Sequence, residues 1–145
     1  MKKTLCVFIV LLLTLSFISC KKSPESEKAI KNQLDKMAED INNGKLDDAI
    51  AFFDDESKTK HEGDKEDRTV NKEYWKNYFT YLNKSYNEVS FSDVDVKAKN
   101  DKEAKAKAVL NGKSEKEDDL KSKVNMDLSF KPDIGWTINR FSEYD

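Results

Sequence analysis

The sequence has few of the residues that build common catalytic and metal sites. It contains two cysteines, one histidine, four glycines and two prolines among 145 residues. A single histidine leaves no second imidazole for the usual transition-metal spacings. The glycines are far apart, so neither a dinucleotide-binding fingerprint nor a P-loop is present. We therefore expect no metal and no cofactor, and we expect His61, in an acidic stretch, to be a solvated surface residue.

The chain also lacks an apolar run long enough to cross a membrane. Residues 5–17 are almost wholly apolar, but a run of roughly 13 to 15 residues falls short of the about 20 that a helix needs to span the hydrocarbon layer. Lys2 and Lys3 precede this run, and the small residue Ser19 follows it. This layout is typical of a secretory signal. We expect residues 1–19 to be cleaved off.

The end of the apolar run carries a more specific pattern. The segment from Phe17 to Cys20, FISC, resembles the lipobox of bacterial lipoproteins. The resemblance implies that Cys20 becomes the lipidated first residue of an exported protein, anchored in the cell membrane or the outer membrane, with residues 20–24 as its tether. The alternative is an ordinary cleaved signal with an incidental cysteine. Because Cys6 leaves with the signal, no thiol remains for a disulfide or a nucleophile.

The charge of the mature chain argues against a nucleic-acid partner. Cleavage lowers the count of lysine plus arginine from 26 to 24 and leaves all 28 acids, so the formal charge is about −4. Binding to phosphates needs a dominant basic face, whereas these lysines alternate with acids. Lys21 and Lys22 are a local exception, since they would lie at the headgroups beside the anchor.

Helical periodicity marks the first half of the mature chain. Ser23-Pro24-Glu25 is expected to begin a helix and Asn42-Asn43-Gly44 to end it, and Asn71 is expected to cap a later one. Residues 54–69 have no large apolar side chain, which predicts a solvated loop or an edge strand. Three helical stripes are predicted: Ile30, Leu34, Met37, Ala38 and Ile41; Leu46, Ala49, Ile50 and Phe53; and Trp75, Tyr78, Phe79 and Leu82.

After Asn87 the period changes to two, which predicts antiparallel strands. The apolar face changes parity near Ser92-Asp93, and this indicates a β-bulge. Turns are expected at Asn100-Asp101 and at residues 132–135, with a charged connection from Asn111-Gly112. On the last strand we expect two faces: Trp136, Ile138 and Arg140 on one, and Thr137, Asn139 and Phe141 on the other.

Helices followed by strands indicate an α+β domain. The segments IKNQLDKMAEDINNGKLDDAIAFFDDE and FKPDIGWTINRF resemble the NTF2-like superfamily, particularly its small bacterial lipoproteins of the DUF4878 or lumazine-binding-like kind. The resemblance covers nearly all of residues 25–142, and a cystatin-like relative is the alternative. It implies an NTF2-like domain over residues 25–145, in which N-terminal helices pack on a curved antiparallel sheet that wraps into a cone.

The resemblance also implies that the mouth of the cone holds a ligand. We predict a non-catalytic domain that binds a small apolar ligand or an envelope protein. The alternative is an isomerase or hydrolase, with Asp93 or Asp95 as base and Tyr78 as donor to an oxyanion. Fold alone does not decide between these functions. The candidate lining of the pocket comes from four elements: Trp75, Tyr78, Phe79, Phe91, Met126 and Trp136.

Overall fold

The computed structural model describes residues 24–144. Within them the chain forms helices that pack on one face of a single sheet, as the α+β prediction requires. In chain order the elements are α1 (Pro24–Asn42), α2 (Leu46–Ile50), β1 (Phe53–Lys60), β2 (Arg68–Asn71), α3 (Lys72–Ser85), β3 (Glu88–Ala98), β4 (Glu103–Lys113), β5 (Leu120–Lys131) and β6 (Gly135–Tyr144).

The apolar stripe of α1 is buried along its whole length, which confirms the predicted helix. Gly44 adopts a φ of 69° directly after the helix, a conformation that glycine adopts without strain. The side chain of Asn42 pairs with the backbone of Val89 in β3: its amide donates to the carbonyl at 2.9 Å, and its oxygen accepts from the N–H at 2.7 Å. These bonds fix the C-terminus of α1 to the sheet. Ser23 lies outside the described residues.

The predicted cap of α3 is confirmed. The Oδ1 atom of Asn71 accepts a hydrogen bond from the N–H of Tyr74 at 3.1 Å, as an N-cap residue does. The second predicted helix is shorter than its apolar stripe suggested, because Phe53 begins β1 instead of extending α2. The charged connection is also shorter, because β4 continues through Gly112 to Lys113.

The sheet order is β2-β1-β6-β5-β4-β3. Most neighbouring strands are antiparallel, but β1 and β6 run parallel, so the expectation of an antiparallel sheet is wrong at this pair. The two strands are far apart in the sequence, and no local pattern determines their relative direction. Their pairing joins the β1–β2 hairpin to the meander of β3 to β6 and extends the sheet to six strands.

The prediction of a loop or edge strand for residues 54–69 is wrong for β1, which lies between β2 and β6. After Phe53 at its start, its inward residues are polar: Ser57 and Thr59 are 2% and 1% exposed. The indole Nε1–H of Trp75 donates to Ser57 Oγ at 2.6 Å, and such a partner removes the penalty of burying a hydroxyl. A strand whose only large apolar side chain is Phe53 can therefore lie inside the sheet.

The register of the sheet shifts in three strand pairs, β1–β6, β3–β4 and β5–β6, and the shifts in β3 and β6 bear on the predicted faces. In β3 the register shifts between Ser92 and Asp95, and Asp93 has a φ of 52°, which confirms the predicted bulge. In β6 the pairing skips Asn139, because Arg140 lies opposite Asp127 whereas Ile138 lies opposite Leu128. Phe141 therefore shares the buried face with Ile138, and its predicted placement on the opposite face is wrong. The extra residue reverses the alternation, as bulges do.

The elements define two ends of the domain. At the near end, Gln33 in the middle of α1 donates to the carbonyl of Trp136 at 2.6 Å, so the N-terminal half of α1 runs toward the end of the sheet that carries the turns 99–102 and 132–134. At the far end, Asn42 lies against Val89. None of the described helices is long and apolar enough to cross a membrane.

Candidate functional site

The six residues predicted to line a pocket all lie in the interior of the cone or at its margin. Trp75, Phe79 and Met126 are each 1% exposed, and Phe91 and Trp136 are also buried, whereas Tyr78 is half-buried. Trp75 lies among other rings, with its centroid 4.5 Å from that of Phe53. Five of the six belong to one apolar core, which Tyr78 contacts at its edge. Their role as the lining of a ligand pocket stays a prediction.

The outer face of the sheet, away from the helices, carries a groove. This groove, of about 490 Å³, lies where β1, β2, β5 and β6 adjoin. Arg140 crosses it, with one guanidinium nitrogen 3.0 Å from Asp67 and the other 3.9 Å from Asp127. Three of the charged side chains in this groove, Arg140, Asp67 and Asp127, are therefore already paired with one another.

Asp93 and Asp95 do not reach the interior. Both are exposed, Asp93 at the bulge of β3 and Asp95 beside Lys97, with 3.8 Å between carboxylate and ammonium. Their assignment as bases in a pocket is wrong, because the bulge directs these side chains to solvent. Tyr78, the proposed donor, does contact a carboxylate, but that carboxylate belongs to Glu143.

A polar cluster lies at the far end of the cone, and we name it the far-end cluster: His61, Tyr74, Tyr78 and Glu143. Tyr78 donates its hydroxyl to Oε1 of Glu143. The Oε2 atom of the same carboxylate lies 3.8 Å from Nδ1 of His61, and the Glu143 side chain is 17% exposed. Glu143 lies opposite Val124 of β5, on the face that packs against the helices.

His61 joins this cluster from the end of β1. Its Nε2 lies 3.0 Å from the hydroxyl of Tyr74, and its side chain is 35% exposed. A neutral imidazole protonated on Nδ1 satisfies both contacts, because Nδ1–H then faces Glu143 and Nε2 accepts from Tyr74. The expectation that His61 is simply solvated is wrong. Lys60 pairs with Ser142 where β1 and β6 run parallel. His61, the next residue, therefore lies beside the carboxylate of Glu143, which follows Ser142.

Solved structures share the architecture of this chain. An NTF2-like protein from Shewanella oneidensis MR-1 is 18% identical, with a TM-score of 0.62 over 80% of this chain and 96% of that one. A domain with a cystatin-like fold from Nostoc punctiforme PCC 73102 is 14% identical, with a TM-score of 0.64 over 84% and 78%. The chain has the NTF2-like fold.

Another structure with this fold is a candidate scytalone dehydratase from Novosphingobium aromaticivorans DSM 12444. It is 15% identical to the chain, with a TM-score of 0.63 over 80% of each. No family model matches the sequence, and no curated protein matches it either. These structural similarities show the NTF2-like fold but do not determine the activity of this chain.

Burial shapes the acid–base properties of the far-end cluster in this NTF2-like domain. Burial raises the pKa of Tyr78, and the charge of Glu143 and the hydrogen bond to it raise that pKa further. Burial also raises the pKa of Tyr74, while the charge of Arg68 opposes this shift. Both hydroxyls therefore stay protonated at neutral pH and serve as hydrogen-bond donors or acceptors.

The cluster can offer a hydrogen-bonding group or a negative charge to a ligand at the far end. Both oxygens of Glu143 already have a partner, Tyr78 on one side and His61 on the other, so the carboxylate is not a free base. No group of three or more metal-ligating side chains occurs in residues 24–144. A carboxylate with a partner on each oxygen suits recognition of a polar group better than proton abstraction.

Sequence reasoning did not assign Tyr74, Glu143 or His61 to a functional site. Tyr74 and Tyr78 are four residues apart, which places them on one face of α3, and this spacing was the available signal. Glu143 is two residues after Phe141, so both lie on the same face of β6. The sequence does not show which face this is, because the bulge at Asn139 reverses the alternation. His61 follows a strand that has no apolar pattern.

We predict that alkaline pH destabilises the fold partly through Tyr78. Its pKa in the folded chain lies above the ordinary value of 10.0, so the folded state holds this proton more tightly than the unfolded state. The free energy of unfolding should therefore fall as the pH rises above about 10. In Tyr78→Phe the fall should be shallower, as measured by urea unfolding at several pH values.

Equal slopes for Tyr78→Phe and the original chain would contradict the raised pKa of Tyr78, which burial and Glu143 both cause.

Proposed function

We propose that this protein is an exported lipoprotein of the cell envelope, whose NTF2-like domain is a non-catalytic module that binds an envelope protein at its far end. The observation that carries this proposal is the filled interior. An enzyme or carrier that encloses an apolar molecule needs a cavity lined by such residues, whereas here Trp75, Phe79 and Met126 are each 1% exposed.

The packing of the interior supports this choice. Three phenylalanine rings surround Trp75, with centroid separations of 4.5 Å to Phe53, 5.4 Å to Phe141 and 6.4 Å to Phe79. Aromatic pairs at these distances are in contact. A small apolar ligand would have to displace these rings, so a partner that meets the surface is the better-supported occupant.

The far-end cluster supplies the chemistry for such a contact. It combines a carboxylate, an imidazole and two tyrosine hydroxyls, and tyrosine is enriched where proteins recognise one another. The 35% exposed side chain of His61 makes the cluster accessible from solvent. A partner group that donates hydrogen bonds, such as a lysine or arginine side chain, would complement the charge of Glu143.

The anchor is proposed from the sequence around Cys20. FISC ends an apolar run too short to span the membrane, and two or more acyl chains hold a protein at a membrane where one chain does not. Because α1 begins at Pro24, the folded domain starts four residues after the proposed lipidated cysteine. The near end of the cone would then face the membrane, and the far-end cluster would point away from it.

We predict that Cys20→Ser removes the anchor, because only the thiol can receive the diacylglyceryl group. The variant should leave the detergent-rich phase in a Triton X-114 partition and should not be cleaved before residue 20. Cys6→Ser is the matched control and should be processed normally, because Cys6 lies within the proposed signal. Normal cleavage and membrane association of Cys20→Ser would contradict the lipoprotein proposal.

We predict that Phe79→Ala costs about 3 to 5 kcal/mol of the free energy of unfolding, as truncation in a filled core does. Tyr81→Ala on the same helix is the control. Its side chain is 52% exposed, and its loss should cost about 0.5 kcal/mol. Denaturant unfolding of both variants measures the difference. A cost at Phe79 as small as that at Tyr81 would indicate an open chamber and would favour an enclosed ligand.

A further inference from the structure

The near end carries an exposed apolar tip, which we define as Phe130 and Ile134. Their exposed fractions are 41% and 66%. Both belong to the β5–β6 hairpin, Phe130 near the end of β5 and Ile134 in the turn that follows. Large apolar side chains grouped at one exposed place commonly mark a surface that contacts another molecule or a membrane.

The tip is connected to the rest of the near end through several contacts. The ring centroid of Phe130 lies 5.5 Å from that of Trp136, and its N–H donates to the carbonyl of Lys102 at 2.8 Å. The N–H of Ile134 donates to the carbonyl of Lys131 at 3.1 Å. The tip therefore adjoins the turn of residues 99–102 and belongs to the body of the domain.

The position of α1 limits the distance between the near end and the proposed anchor at Cys20. Gln33 contacts the backbone of Trp136, and α1 extends nine residues from there back to Pro24, about 14 Å of helix. Cys20 precedes Pro24 by four residues, and four extended residues reach at most about 14 Å. A lipid on Cys20 would therefore hold the bilayer surface within about 28 Å of Trp136.

We propose that Phe130 and Ile134 insert into the interface of the membrane that holds the lipid anchor, so that the domain has a second membrane contact. This inference rests on the proposed lipidation of Cys20. Two lysines and two acids are exposed beside the tip: Lys99, Lys102, Asp101 and Asp133. The lysines can meet anionic headgroups, and the two apolar side chains can enter the membrane interface.

The second contact fixes how the domain stands on the membrane. A lipid on Cys20 alone would not fix the orientation of the domain. With the hairpin inserted, the near end lies on the bilayer, and the far-end cluster is held away from the surface. A partner in the envelope would then find His61 and Glu143 accessible.

A site-specific fluorophore tests the insertion. Because the mature chain has no cysteine other than Cys20, Ile134→Cys in the processed, lipidated full chain provides one free thiol for the polarity-sensitive dye NBD. The labelled protein is incorporated into vesicles of phosphatidylethanolamine and phosphatidylglycerol. Tyr81→Cys is the matched control, because Tyr81 is also exposed, at 52%, and its ring lies beside Tyr86, which contacts Gly112 at the far end.

We expect a several-fold rise and a blue shift of the NBD emission at position 134 on addition of vesicles, with little change at position 81. Adding Phe130→Ser to the Ile134→Cys chain should remove most of the rise. Protein that floats with the vesicles but keeps an aqueous emission at position 134 would overturn the insertion and leave the lipid anchor standing. Protein with an unmodified Cys20 that does not float would overturn both proposals.

Discussion

The hydrogen bond from the indole of Trp75 to Ser57 is the contact on which the arrangement of this domain depends. It lies in the core, with 2.6 Å between Nε1 and Oγ, and it gives a buried hydroxyl the partner without which burial would cost about 1 to 3 kcal/mol. The stacking of Phe53 on the same indole adds apolar contact. Together these contacts hold β1, a strand of mostly polar residues, against α3.

The placement of β1 determines what the far end can do. With β1 parallel to β6, Lys60 lies opposite Ser142, and the next residue, His61, comes within 3.8 Å of Glu143. Tyr74 and Tyr78 reach the same place from α3 because that helix packs on β1 through Trp75. The packing of α3 on β1 through Trp75 therefore determines both the core and the polar cluster. Because the interior is filled, the polar side chains of the cluster lie toward the surface.

Local patterns predicted the parts of this domain that depend on local interactions. The stripe of α1, the Asn71 cap and the bulge at Asp93 are all evident in the sequence, because each involves neighbours along the chain. The burial of Ser57 is not evident, because it requires a donor 18 residues away. The face of Phe141 depends on a bulge at Asn139, and the far-end cluster depends on both features. For this reason its histidine was taken for a solvated residue and its carboxylate was overlooked.

The position of β1 inside the sheet, paired with β6, brings His61 to Glu143. Native-state hydrogen exchange of the backbone amides, followed by NMR, can detect this pairing in solution. We expect amides of β1 that bond to neighbouring strands to exchange as slowly as those of the β5–β6 pair, while amides of residues 62–66 exchange fast. Fast exchange throughout residues 54–60 would contradict it, because that segment would then be the solvated loop that its composition suggests.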